Sequence, residues 1–204
     1  MMREAIVQVT PLDDVTRPAP MKRIAILGCG GSGKSTLAVT LGRLLKLPVM
    51  HLDREHWLPG WVEPPKDSWT QRHDELIKQD TWIIDGMYRG TVAPRLAAAD
   101  TIIFLDFSRW VCLWRIVRRY WKYRGKSRPD MTEGCPEQLN HAFLRWIYRF
   151  PEETRPKVVA MIEAHSAGKT VLRFDNPRAL KRWLRGWEKR VGQAIGTPAG
   201  VRSS

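Results

Sequence analysis

The chain has 204 residues and a formal net charge of +13 at pH 7, so it fits one domain with a sizeable core and calls for an anionic partner or substrate. Its cysteines, Cys29, Cys112 and Cys135, match no metal-binding or redox spacing, which argues against a zinc site and a disulfide framework. No apolar stretch approaches the length of a membrane span, and we expect a cytoplasmic protein without a membrane partner.

The first segment has the composition of a disordered leader. Residues 1–20 are poor in core-forming side chains and carry Pro11, Pro18 and Pro20. We therefore expect the folded domain to span residues 21–191, and translation could itself start at Met21.

A glycine-rich motif follows the first predicted strand. Residues 28–35, GCGGSGKS, fit the phosphate-loop pattern GxxxxGK[ST] at every fixed position. Glycines let backbone amides point at a phosphate, the lysine supplies charge for the β- and γ-phosphates, and the serine hydroxyl is a Mg²⁺ ligand. Helical spacing starts at residue 34, so the phosphates also meet the positive end of a helix dipole. The motif predicts that ATP is bound by Gly28, Gly30, Gly31, Ser32, Gly33, Lys34, Ser35 and Thr36.

Strand-like and helix-like segments alternate along the chain, which predicts a parallel sheet with right-handed crossovers. The predicted strands are residues 23–27, 48–52, 81–85, 101–106 and 170–174. The predicted helices are residues 34–45, 66–79, 109–123, 137–148, 152–166 and 178–191. Residues 192–204 are rich in small residues and proline, which predicts a disordered tail.

Four segments resemble the nucleoside-monophosphate-kinase-like branch of the P-loop NTPases, in particular the bacterial topology-modulation or adenylate-kinase-related proteins. They are GCGGSGKS, WIIDGMYRG, WRIVRRY and RPDMTEGCPE, and the resemblance covers about residues 21–187. It implies a three-layer α/β fold with a five-stranded parallel sheet of order 2-3-1-4-5 and ATP-dependent phosphotransfer. It also implies two inserts, an acceptor-binding flap at about residues 55–80 and a phosphate-covering lid at about residues 109–150. Trp57 and Trp61 of the flap either face a substrate ring or form the core of the flap.

Asp85 ends the third predicted strand, where its carboxylate can hold a Mg²⁺-bound water. The tract DGMYR is similar to the DG[FY]PR stretch of adenylate kinases, with Tyr88 in place of the proline. This similarity implies that Arg89 grips an acceptor phosphate. The alternative is that Asp85 only caps the next helix and that Arg89 is an ordinary exposed arginine.

Asp53 lies just after the second predicted strand, where it could accept a proton from a hydroxyl substrate. The alternative is a surface carboxylate without a role. His51 and His56 flank it, but their loose spacing does not favour a metal site.

The predicted helix 109–123 separates apolar from basic residues. One apolar stripe contains Trp110, Leu113, Trp114, Val117 and Trp121. The opposite face contains Arg115, Arg118, Arg119 and Lys122. Arg115 and Arg119 resemble the RxxxR of kinase lids, which implies that one packs on adenine and the other contacts the transferred phosphoryl group. The alternative is a solvated cationic face.

Asn176 and Pro177 follow the last predicted strand, where the resemblance implies an adenine-contacting loop. They also suit a simple helix start, with Asn176 as N-cap and Pro177 at the first helical position.

These features favour an ATP- and Mg²⁺-dependent kinase for a small acceptor, preferably a nucleotide or nucleoside. A phosphate-bearing acceptor bound by Arg89 is preferred over a hydroxyl acceptor that uses Asp53, because Arg89 matches the longer family tract and the positive net charge suits two anionic substrates. The predicted catalytic residues are Lys34, Asp53, Arg89, Arg115 and Arg119, and the predicted metal ligands are Ser35 and Asp85. The alternative is an ATP-binding regulator that contacts DNA through the basic stretch 109–128, which is less favoured because no base-reading module is visible. We expect a monomer or a small homo-oligomer.

Overall fold

A five-stranded parallel sheet forms the centre of the protein in a computed structural model that describes residues 21–196. The strands are β1 (Arg23–Gly28), β2 (Val49–His51), β3 (Trp82–Asp85), β4 (Thr101–Leu105) and β5 (Thr170–Phe174). Their order is β2-β3-β1-β4-β5, which confirms the predicted order. For residues 189–196 only the backbone is described, and the predicted leader and residues 197–204 of the predicted tail lie outside the described residues.

Helices cover the sheet. They are α1 (Lys34–Leu45), α2 (Leu52–His56), α3 (Lys66–Ile77), α4 (Arg89–Ala98), α5 (Arg109–Tyr123), α6 (His141–Arg149), α7 (Arg155–Ala164) and α8 (Pro177–Gly196). A π-helical turn, Phe150–Thr154, joins α6 to α7. Strands β1, β3 and β4 are continuous apolar runs that are almost fully buried, as expected when helices cover both faces of a parallel sheet. The three-layer α/β fold is therefore confirmed.

Two helices, α2 and α4, are missing from the sequence-based prediction. α2 has only five residues, too few for an apolar period to show. α4 carries Pro94 in its interior, where proline removes a backbone hydrogen bond. Val92 and Leu96 of α4 are fully buried, and this packing offsets the lost hydrogen bond.

The predicted helix 137–148 is wrong at its start, because α6 begins at His141. The side-chain oxygen of Asn140 caps α6 by accepting hydrogen bonds from the backbone amides of Ala142 (2.8 Å) and Phe143 (3.4 Å). Glu137 lies before the helix, and its backbone amide donates to the carbonyl of Lys126 (3.0 Å).

The predicted helix 152–166 is also wrong at its start. Pro151 and Pro156 lack a backbone donor, and the chain forms the π-helical turn before α7 begins. At the other end of the domain, α8 continues to Gly196, past the predicted end at Val191 and into the predicted tail.

The carboxyl ends of β1, β2 and β3 meet at one edge of the sheet. Asp85 of β3 is in register with Ile26 of β1 and with His51 of β2. β1 ends at Gly28, the first glycine of the phosphate loop. Parallel sheets bind ligands at this edge, so the fold itself brings the loop, Asp85 and His51 together.

The phosphate loop fits tightly against α5. Gly31 has a φ of 78°, and a Cβ atom there would lie 2.4 Å from the carbonyl oxygen of Cys112 in α5. Gly168, in the turn before β5, has a similar φ of 70° but no atom within 4 Å of an added Cβ.

We expect Gly31→Ala to lower the free energy of unfolding by about 1–3 kcal/mol more than Gly168→Ala, because both variants strain the backbone but only the first also overlaps α5. Urea denaturation of the two variants measures the difference. Equal losses would show that the close approach of α5 does not constrain the loop.

Candidate functional site

The phosphate loop connects β1 to α1 and leaves the start of α1 open to an anion. Gly33 is the N-cap with a φ of 96°, and no side chain of the described residues caps the helix. The first backbone amides of α1 therefore lack side-chain acceptors, as in phosphate sites at helix N-termini. Lys34 lies here with its Nζ atom donating to the carbonyl oxygen of Cys29 (3.1 Å), and Thr36 is exposed at the rim. All the predicted loop residues from Gly30 to Thr36 line one cleft.

Asp85 links the loop to β2. The Ser35 hydroxyl donates to Asp85 Oδ2 (2.8 Å), and His51 Nδ1 lies 2.6 Å from Asp85 Oδ1. Burial alone would lower the pKa of His51, but the hydrogen bond and charge of Asp85 outweigh it and the pKa is raised. Asp85 is thus a buried carboxylate held between a hydroxyl and an imidazole. A serine hydroxyl beside a carboxylate is a donor set that suits Mg²⁺, as predicted for Ser35 and Asp85.

Asp130, in the loop between α5 and α6, was missed by the sequence analysis. Its side chain lines the cleft and forms an ion pair with Arg128, whose Nη1 donates to Asp130 Oδ2 (3.1 Å). Burial raises the pKa of Asp130, but the neighbouring Arg128 charge outweighs burial, and the pKa is lowered. The only signal for this residue was its place in the tract RPDMTEGCPE.

Asp53 lies in the first turn of α2 and faces the same cleft. Tyr88 donates its hydroxyl hydrogen to Asp53 Oδ1 (3.0 Å), and Arg128 Nη2 lies 3.8 Å from Asp53 Oδ2. The Asp53 side chain is 42% exposed, so one side of the carboxylate is open to a ligand. Burial and the Asp53 charge raise the pKa of Tyr88, so the phenol stays protonated and can donate.

Arg115 and Arg119 of α5 both point toward the cleft, against the alternative of a solvated cationic face. Arg115 Nη1 donates to the carbonyl oxygen of Ser32 in the phosphate loop (2.8 Å). Arg119 donates from Nε (3.0 Å) and Nη2 (2.8 Å) to Glu137 Oε1. Glu137 also faces Arg128, whose Nε lies 2.7 Å from Glu137 Oε2. Glu137 was not identified from the sequence.

Of the three remaining predicted site residues, Arg89, Asn176 and Pro177, only Pro177 lines the cleft. Arg89 starts α4 at the surface and is not among the residues that line the cleft. Asn176 Oδ1 accepts a hydrogen bond from the backbone of Ala179 (2.9 Å), which shows its N-cap role. Pro177 is the first residue of α8 and lines the cleft. Contact of Asn176 and Pro177 with adenine stays a prediction, as does the phosphate contact of Arg89.

The cleft has a volume of about 1250 Å³ and two aromatic walls. Trp57 and Trp61 of the flap form one wall, with ring centroids 5.3 Å apart at 69°. Phe143 and Trp146 of α6 form the other and are stacked at 14° with centroids 5.7 Å apart. The flap tryptophans therefore face the cleft, which was one of the two interpretations of the sequence.

Flap and lid contact each other over the cleft. Trp61 Nε1 donates to the carbonyl oxygen of Pro136 (3.1 Å). The backbone amide of Gly60 donates to the carbonyl oxygen of Gly134 (3.0 Å). Cys135 Sγ lies 3.3 Å from the carbonyl oxygen of Leu58. These contacts join the two inserts into one cover.

Residues 21–196 contain neither a membrane-spanning helix nor a cluster of metal-binding side chains. None of the helices there is long and apolar enough to cross a membrane. No group of three or more His, Cys, Asp or Glu side chains in this part of the chain could hold a metal ion by itself. Mg²⁺ in proteins commonly takes most of its ligands from phosphates and water.

Comparison by sequence identifies distant relatives only, and no protein-family model matches the chain. An uncharacterised protein of Bacillus subtilis (strain 168), YqaC, is 27% identical over 131 residues, which are 61% of this chain and 70% of that protein. A multidrug resistance protein of Leishmania tarentolae is 34% identical over 89 residues, which are 42% of this chain but 5% of that protein.

Comparison by structure finds kinases. Shikimate kinase from Acinetobacter baumannii aligns with a TM-score of 0.50 at 14% identity and covers 87% of this chain and 96% of the kinase. A gluconokinase from Sinorhizobium meliloti 1021 has a TM-score of 0.46 at 15% identity, covering 88% of this chain and 98% of that one. The likeness to shikimate kinase, together with the strand order and the phosphate loop, shows that the chain has a P-loop kinase fold.

We expect His51 to titrate above its ordinary pKa of 6.5. Asp85→Asn should lower the pKa of His51, because the carboxylate charge that stabilises the protonated ring is removed while burial still disfavours it. Protonated His51 thus stabilises the fold fully below pH 6.5, and the contribution is lost as the pH rises through the folded-state pKa. NMR titration of the His51 ring measures both values, with the exposed Asp67→Asn variant as control. A His51 pKa at or below 6.5 in the parent protein would contradict the assignment.

Proposed function

We propose that this protein is an ATP- and Mg²⁺-dependent kinase that phosphorylates a hydroxyl group of a small acceptor, with a nucleoside as the favoured class. One observation carries the proposal: the phosphate loop and the half-exposed carboxylate of Asp53 line the same cleft. The loop supplies a site for the donor, and Asp53 supplies a base for the acceptor. A kinase needs both in one enclosed space.

On the donor side, the open amides of α1 and the Lys34 ammonium would hold the phosphates of ATP. Arg115, fixed on the loop by Ser32, lies where it can neutralise charge on the transferred group. Ser35 and Asp85 would hold Mg²⁺, which when bound adds further charge neutralisation at the phosphates. Adenine contact by Pro177 and Asn176 remains part of the proposal.

On the acceptor side, Asp53 takes the proton from the acceptor hydroxyl. The freed oxygen forms a bond to the γ-phosphorus while the bond from that phosphorus to the β-γ bridging oxygen breaks, and ADP leaves. Tyr88 and Arg128 hold the two carboxylate oxygens of Asp53 and so orient it. Each therefore acts as a positioning residue.

The acceptor class follows from the walls of the cleft. Trp57 and Trp61 offer a ring surface next to Asp53, which suits a nucleoside base above its sugar hydroxyls. Arg128, which forms an ion pair with Asp53, also faces Asp130 and Glu137 and is therefore not free to bind an acceptor phosphate. Arg89 lies outside the lining, so the cleft supports a nucleoside better than a nucleotide.

The DNA-binding alternative receives less support from these contacts. Two of the arginines that it requires, Arg115 and Arg119, are bound to the phosphate loop and to Glu137. The similarity to topology-modulation proteins, from which that alternative came, remains a resemblance of sequence.

We expect Lys34→Ala to lower phosphotransfer by about a hundredfold or more, because the γ-phosphate loses a fixed charge in the transition state. Lys157→Ala, at an exposed position of α7, is the control and should leave turnover unchanged. Turnover is measured as ADP formed with a panel of nucleosides, nucleotides and sugar alcohols. Parent-like turnover of Lys34→Ala would contradict the proposal.

Asp53→Asn should lower kcat for a hydroxyl acceptor by about a hundredfold, since the amide cannot accept the proton. Arg89→Ala should change kcat/KM by less than about threefold, because Arg89 lies outside the cleft lining. The reverse ranking would indicate a phosphate-bearing acceptor. Unchanged turnover in both variants, with duplex DNA binding that falls steeply with salt, would favour the DNA-binding regulator.

A further inference from the structure

Helix α5 presents its largest apolar side chains to solvent. Trp110, Trp114 and Trp121 are 66%, 61% and 67% exposed, and Val117 is 41% exposed. Its buried residues are Cys112 and Ile116, which pack toward the phosphate loop. Four of the five residues of the apolar stripe found in the sequence therefore face away from the core, whereas Leu113 is half-buried and packs against it. We name Trp110, Trp114, Val117 and Trp121 the tryptophan face.

The tryptophan face is a straight, narrow ridge. With about 100° per residue its four positions fall within an arc of about 60°, and they extend over about 16 Å of helix axis. Three indoles exposed to this degree present roughly 400–500 Å² of ring surface, which reaches the size of the largest apolar patch on a typical monomer. Patches of that size on a soluble domain usually mark an interaction surface.

All the charged residues of α5 are cations, because its sequence contains no Asp or Glu. The Arg118 guanidinium carbon lies 5.5 Å from the ring centroid of Trp114, and that of Arg124 lies 5.9 Å from Trp121. Neither arginine forms an ion pair with another described residue. The surface therefore combines an apolar ridge with uncompensated positive charge.

We propose that the tryptophan face binds the surface of an anionic phospholipid bilayer. Indole rings favour the interface between headgroups and acyl chains, and arginines beside them meet the lipid phosphates. The helix would lie on the surface, so no membrane-spanning segment is needed. The expectation of no membrane partner rested only on the lack of such a segment.

Charge and shape favour this partner over two others. A second copy of the chain would bring like charges together, because each face carries the same unpaired arginines. Duplex DNA matches the cations but offers no apolar surface to a convex row of indoles. An anionic bilayer matches both features of the surface.

The inference does not depend on the reaction that the cleft performs. Arg115 and the tryptophan face point in different directions from α5, toward the phosphate loop and toward solvent. Binding to a bilayer would thus leave the cleft open.

The test measures cosedimentation of the 204-residue chain with vesicles of phosphatidylcholine alone or with about one third phosphatidylglycerol. We expect binding to the anionic vesicles only, reduced about tenfold or more in Trp110→Ser/Trp114→Ser/Trp121→Ser because most of the apolar contact is removed. The melting temperature of this variant should stay close to that of the parent, since the three side chains are largely exposed.

A second pair of variants tests whether vesicle binding depends on where the charges lie or only on the net charge of the chain. Arg118→Gln/Arg124→Gln should weaken vesicle binding several-fold more than Lys66→Gln/Lys157→Gln, which removes the same charge elsewhere. Equal losses in the two pairs would overturn the proposal, and so would parent-like binding of the tryptophan variant or equal binding to neutral vesicles. It would also be overturned if the tryptophan variant abolished self-association or duplex DNA binding while vesicle binding was absent in the parent.

Discussion

The contact between α5 and the phosphate loop is the one on which the site depends. Gly31 has no Cβ, which lets the backbone of Cys112 approach, and Arg115 donates to the Ser32 carbonyl from the same helix. A loop that must turn its amides toward phosphate cannot also use them to hold a neighbouring helix. The carbonyl oxygen of Ser32 holds α5 instead, and it places the Arg115 guanidinium beside the phosphate loop. Glycine serves two purposes here, the backbone turn and the close packing of the lid.

A chain of charges extends from α5 to Asp53 in α2. Glu137 lies between Arg119 and Arg128, and Arg128 continues to Asp53 and Asp130. Glu137 and Arg128 are almost fully buried, so each charge requires its partners, and removing one would leave the others unpaired in a low-dielectric site. Burial and the neighbouring Arg128 charge lower the pKa of Arg119, although Glu137 opposes this. Side chains of this network fix the position of the lid relative to Asp53. Asp85 and His51 are fixed instead by the backbone pairing of β2 and β3.

Helix α5 shows how one amphipathic sequence can satisfy two environments. The usual interpretation of an apolar stripe is that it packs on the core. Here the side facing the protein is made of small and medium side chains, Cys112 and Ile116, together with Arg115 and Arg119. Indoles would not fit against a loop that approaches this closely. The tryptophans are consequently exposed, and they need another explanation.

The sequence by itself determined the fold and the place of the phosphate loop in it, because both depend on local patterns. A glycine motif between a strand and a helix, and apolar runs that alternate with helical segments, need no knowledge of distant contacts. The tertiary structure alone decided which side chains surround Asp53 and which way the apolar stripe of α5 faces. Asp53, Tyr88 and Arg128 are far apart in sequence and meet only in the folded protein. Whether a stripe faces inward also depends on which side of the helix can fit its neighbour, and periodicity carries no information about that neighbour.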